Sequence, residues 1–139
     1  MRRPAVLALL VVGLAGCGGS GSPSAESVVR AWSNALNAGD NERAAKLFAP
    51  DARVVQGPTH LNLKTLSDAI HFNASLPCSG RIVTVEDAGD VTTATFELGH
   101  RATSTCDAYG ARATAVFEVR GGKIVRWQQI AATPAGPTF

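Results

Sequence analysis

The chain has 139 residues, with 13 Lys and Arg against 11 Asp and Glu, three cysteines and a formal charge of +2. That length fits one domain, and 45% hydrophobic residues with only 17% charged exclude a wholly disordered chain. Both excess positives, Arg2 and Arg3, precede a removable apolar segment. Without them the balance is 11 against 11, which leaves no general basic surface for nucleic acid, and 6% aromatics offers few rings to stack bases.

Met1-Arg2-Arg3 is a charged start, and 5–15 is an unbroken apolar run with one Gly. As a helix it would span about 16 Å, roughly half a bilayer core of about 30 Å. It therefore reads as the core of a signal peptide rather than a membrane span. The run ends in Leu14-Ala15-Gly16-Cys17, which resembles the bacterial lipobox: a Leu, two small residues and an obligatory Cys. The resemblance implies cleavage before Cys17 and acylation of its thiol. The other reading is an ordinary secretory signal with a chance Cys. Two acyl chains anchor stably where one is marginal. The expectation is a signal peptide over 1–16, a lipidated Cys and flexible linker over 17–25, a folded domain over 26–133 and a loose tail over 134–139. The protein would be extracytoplasmic, tethered to the bacterial cell membrane through Cys17.

The first element is helical. Val28, Val29, Trp32, Ala35 and Leu36 form one apolar stripe, Ser24 is placed to cap its start, and Gly39 to end it. A second short helix begins at Asp40 or Asn41, carries Ala44, Ala45, Leu47 and Phe48, and is stopped by Pro50. A strand over 52–56 follows, then a turn at Gly57-Pro58. Thr65 with Asp68 resembles a capping box for a third helix over 66–75. From Cys78 onward the texture changes to Val, Thr and Phe. Strands over 82–86 and 91–98 flank Asp87-Ala88-Gly89-Asp90, and strands over 112–120 and 124–130 flank Gly121-Gly122. Helices first and an antiparallel sheet afterwards predict an α+β fold.

With Cys17 lipidated, Cys78 and Cys106 remain. In an oxidising compartment two cysteines are expected to pair, and the bridge would contribute roughly 3–4 kcal/mol. A reactive thiol or a metal site is the alternative. No second Cys or His stands at zinc-ligand spacing, so no metal and no cofactor is expected.

Three segments in this order resemble the nuclear transport factor 2-like superfamily, with its SnoaL-like and ketosteroid-isomerase-like groups. They are 32–40 (WSNALNAGD), 44–54 (AAKLFAPDARV) and the closing hairpin over 115–130. The resemblance implies a cone: three N-terminal helices packed on a curved, mainly antiparallel sheet, with an apolar pocket between them. That pocket hosts unrelated functions, so the fold does not settle the activity.

The isomerase branch uses a general base and donors for an enolate oxyanion. By resemblance, the base position holds Gln56, whose amide cannot abstract a proton. The oxyanion Tyr aligns with Trp32, and the span 108–117, where a protonated Asp is expected, holds no acid. Steroid-isomerase chemistry is therefore not expected. The remaining weak catalytic candidates are His71 with Asp68, at i and i+3 on the third helix, and Asp51 after Pro50. His71 and Asp68 read equally as a surface pair, and Asp51 as a turn residue.

The expected pocket residues are Trp32, Phe48, Gln56, Ile70 and His71. Leu66, Phe72, Phe96, Phe117 and Trp127 add large apolar volume, and Trp127 is a candidate for an exposed interaction face of the sheet. The leading function is non-catalytic binding of a small apolar ligand, or of a protein partner, at the envelope. A homodimer is one form of that partner. The rivals are a small-molecule isomerase, lyase or hydrolase, and a structural accessory subunit of an envelope complex.

Overall fold

A computed structural model describes residues 21–133. Cys17 and the tail over 134–139 lie outside the described residues. Helix α1 (Ala25–Asn37) starts where the Ser24 side chain accepts the N–H of Ser27. Its buried face carries the whole expected stripe from Val28 to Leu36. Gly39, at φ +73°, takes the left-handed conformation that ends the helix.

Helix α2 is only Asn41–Ala45, capped by Asp40. Phe48 and Pro50, expected in that helix and at its end, instead lie inside strand β1 (Phe48–Gln56). The sheet tolerates Pro50 because the pairing with β6 shifts register between Phe48 and Arg53, and Asp51 stands at φ +60°. A missing N–H costs little at such an irregularity. This also accounts for Asp51, an exposed bend residue with no acid–base role in its surroundings.

Strand β2 (Thr59–Leu63) returns antiparallel across Gly57-Pro58. It was not legible in the sequence, because four of its five residues are exposed and its apolar alternation is only two leucines long, Leu61 and Leu63. Helix α3 (Leu66–Ser75) follows, with the Thr65/Asp68 capping box formed in both directions. The third helix thus comes after the first hairpin, not before the sheet. Four long strands complete the chain: β3 (Cys78–Ala88), β4 (Val91–His100), β5 (Arg112–Arg120) and β6 (Lys123–Thr133).

The six strands form one curved, mixed sheet in the order β2-β1-β6-β5-β4-β3. Every pairing is antiparallel except β1 with β6. Helix α1 lies against β3, β4 and β5. Residue 80 of β3 is glycine, which leaves room for the Phe96 ring of β4: a Cβ there would sit 3.0 Å from Phe96. Asn37 reads both backbone groups of Gly80, donating to its oxygen at 2.8 Å and accepting its N–H at 3.0 Å.

The core is a continuous aromatic cluster. Trp32 meets Phe117 at 5.3 Å and Trp127 at 6.2 Å between ring centres. Trp127 in turn meets Phe72 at 5.2 Å, and Phe72 meets Phe48 at 5.9 Å. Most of these contacts are edge-on, the geometry that suits ring quadrupoles. Leu66, counted above among the large apolar residues, is 47% exposed on the first turn of α3.

Candidate functional site

Between α1, the sheet and the segment after α3 lies a cavity of about 280 Å³. Its floor is aromatic, from Trp32, Phe96 and Trp127. Ala113 and Ala115 of β5 leave the space that larger side chains would fill. Gln56 of β1 and Gln129 of β6 meet across the parallel pair, the Gln56 Nε2 donating to Gln129 Oε1 at 2.8 Å. Leu76, Pro77 and Cys78 form one lip, and Asp107 and Ala108 form part of the opposite one.

A clasp holds the two lips together. Cys78 and Cys106 are joined as a disulfide 28 residues apart in sequence, as the oxidising-compartment reading expects. Ser104 donates to the Pro77 oxygen at 2.9 Å. Arg101 donates to the oxygens of Asn73 and Leu76 at 2.7 and 2.9 Å, and also to the Asn41 side chain. One guanidinium therefore caps the C-terminal end of α3, where cations are favoured, and ties it to the start of α2. Arg101 is 6% exposed, and burial pushes its pKa below the ordinary guanidinium value. The protonated form is still the one that makes these bonds.

Most polar groups of the wall are already committed. The Trp32 indole N–H donates at 2.8 Å to Asn73, which is fully buried and itself donates to the Ala69 oxygen. Ser33 donates to the Gly80 oxygen, and Ser79 to the His100 oxygen. The Trp127 N–H is buried without an acceptor.

The expected pocket residues divide. Trp32 and Gln56 line the cavity. Phe48 does not: it is packed edge-on against Phe72 in the core. Ile70 is half-buried against that core and His71 is exposed, so neither reaches the wall. The helix turns them away because Ala69, Phe72 and Asn73 form the inward face of α3. Asp68 is committed to the capping box, accepting the N–H groups of Lys64 and Thr65. His71 and Asp68 therefore make no acid–base pair inside the cone. Trp127, expected as a candidate for an outward face, is 4% exposed and points inward. Among the polar lining residues that sequence reasoning missed are Gln129 and Asp107. Gln129 shares its strand face with Trp127, which was the available signal. Asp107 directly follows Cys106, which the disulfide ties to Cys78 in the lining.

Cys78, Cys106 and Asp107 bring three potential metal-ligating atoms within 4.8 Å of one another. With the two sulfurs bonded to each other, neither is the thiolate that a structural zinc site uses.

The SnoaL-like domain family matches residues 29–127. The chain belongs to the SnoaL-like family. Solved structures with this SnoaL-like fold include a candidate polyketide cyclase from Sinorhizobium meliloti, 16% identical, with a TM-score of 0.64, covering 75% of this chain and 94% of that one. An NTF2-like protein of unknown function from Cytophaga hutchinsonii is 10% identical, with a TM-score of 0.65, covering 80% and 92%. A ketosteroid isomerase-like protein from Catenulispora acidiphila, in complex with trimethylamine, is 18% identical, with a TM-score of 0.63, covering 80% and 87%. At these identities the likeness is one of fold. No curated protein matches the chain significantly.

Proposed function

We propose that this SnoaL-like protein is an extracytoplasmic lipoprotein that binds a small, largely apolar molecule without transforming it. One observation carries the binding reading. The positions that resemblance assigns to the isomerase branch's chemistry, Gln56, Trp32 and the 108–117 span, all contribute to one cavity, the span through Ala108, Ala113, Thr114 and Ala115. No base stands there, and the Trp32 donor is already used by Asn73. The single ionisable side chain of the lining is Asp107, an exposed carboxylate at the rim. Chemistry by paired acid and base needs a second group within hydrogen-bond reach, and the lining supplies none. The cavity volume lies just below the usual range for small-molecule sites, about 300–1,000 Å³, which suits a small ligand. The small amine in the Catenulispora structure agrees in size.

The anchor rests on residues 14–17 and their likeness to the lipobox. Native mass spectrometry on protein extracted from its own membrane tests both parts. The expected result is a diacylglyceryl mass on the wild type that Cys17→Ala lacks. A small co-purifying mass is expected as well, and Ala113→Leu, which fills the cavity, should lose it while keeping its fold. An empty wild-type cavity would end the ligand reading. Lipid incorporation that survives Cys17→Ala would end the anchor reading.

A further inference from the structure

Besides the buried Trp127 N–H, the free hydrogen-bonding capacity of the cavity wall lies mainly in one donor–acceptor pair. Trp32, Ser33 and Ser79 have given their protons to protein acceptors, and Thr114 shares its hydroxyl with Thr95 at 3.1 Å. Gln56 and Gln129 spend one amide group each on the other. Among the described residues, the Gln56 carbonyl and the Gln129 NH2 have no other partner. Turning both amides over exchanges the roles but leaves the same result: one free C=O and one free NH2, side by side. Both residues line the cavity and are half-buried rather than sealed. The single ionisable side chain of the lining is the Asp107 carboxylate, and no Lys, Arg or His lines the space.

Resting on the binding reading above, we propose that the ligand is a small neutral molecule with an apolar body and a carboxamide-type head: an amide, lactam or imide. Such a head carries a donor and an acceptor in fixed adjacency. Its N–H meets the free Gln carbonyl and its C=O meets the free Gln NH2, while the body packs on Trp32, Phe96 and the β5 alanines. A carboxylate head has no proton for the Gln carbonyl and is repelled by Asp107. An ammonium head satisfies the carbonyl but leaves the NH2 without an acceptor. A pure hydrocarbon leaves both amide groups unpaired after displacing their water, which costs affinity.

The test uses the full chain in phospholipid nanodiscs and four probes of one size: benzamide, benzoate, benzylamine and toluene. Occupancy is read from the indole N–H resonances of Trp32 and Trp127. Benzamide should bind tightest. Gln56→Met and Gln129→Met keep the volume but remove the head contacts. Each should weaken benzamide about tenfold, the worth of a pair of neutral hydrogen bonds, while toluene binds as tightly or more tightly, because a methionine leaves no amide unpaired beside it. Retained or tightened toluene binding also reports that the variant cavity is intact. The proposal is overturned if toluene, benzoate or benzylamine matches benzamide, or if both variants retain wild-type benzamide affinity. If none of the four probes enters, the binding reading itself falls.

Discussion

Replacing Arg101 by methionine should destabilise the protein by about 3–5 kcal/mol, the usual result of removing one partner from a buried charged network. The guanidinium makes three hydrogen bonds at 6% exposure. Methionine fills much of the same volume but donates nothing. The oxygens of Asn73 and Leu76 and the Asn41 amide then lose their donor, and a buried acceptor without a partner costs about 1–3 kcal/mol. Part of that loss is offset, because methionine also removes the desolvation that holds the Arg101 pKa down. Lysine should recover only part of the stability, since one ammonium cannot reach acceptors on both α2 and α3 as a planar fork does. Urea unfolding of the three proteins checks this. An Arg101→Met midpoint equal to wild type would show that the bonds contribute nothing. The linkage to pH has a definite sign. A lowered folded-state pKa means that the penalty of burying the charge is present at neutral pH. It is relieved only as pH rises from that lowered value toward the ordinary guanidinium value. Stability between pH 5 and 8 should therefore not respond to this residue's titration.

The Cys78→Ser/Cys106→Ser double variant should lose about 3 kcal/mol, and reduction of the wild type with a dithiol should lose the same amount. The bridge restrains the unfolded chain, which is the larger part of that effect in the chain-entropy account. It also has a local role. Cys78 lines one lip, while Asp107 and Ala108 line the other, directly after Cys106. Without the bond, the hydrogen bonds of Arg101 and Ser104 still join the segments, but no covalent link does. Benzamide affinity should then fall along with stability. A double variant that matches the oxidised wild type in urea would mean that the bridge is dispensable.

These two expectations share a cause. A chain of this size has limited apolar area to bury, so single cross-links make up a large share of its net stability. The closure of the cavity and the stability of the fold depend on the same few groups. Loosening the clasp should therefore affect binding and unfolding together, whereas Gln56→Met and Gln129→Met should affect binding alone.

The helices were legible because each announces itself locally: α1 by its stripe from Val28 to Leu36, α3 by the Thr65/Asp68 box. The strands from β3 to β6 were legible from their Val-, Thr- and Phe-rich runs between glycine turns. The early hairpin was misread, because a proline usually ends a helix and here sits at an irregular register in β1. Nothing local distinguishes the two cases; the pairing with β6 decides it.

For the site, the chain itself determined what is missing. By resemblance, the positions of a steroid-isomerase constellation hold Gln56, Trp32 and an acid-free 108–117 stretch, and neither an amide nor an indole abstracts a proton. The two cysteines likewise announced their pairing by their number and expected compartment. What the tertiary structure alone decided is which side chains meet. Gln56 reaches Gln129 across 73 residues because β1 and β6 run parallel. Arg101 is buried among carbonyls of the C-terminal end of α3, and Asp107 stands in the lining next to a disulfide that joins residues 28 apart. Local pattern encodes which way a residue faces within its own element. Contacts between distant elements depend on sheet order and register, which no single segment contains.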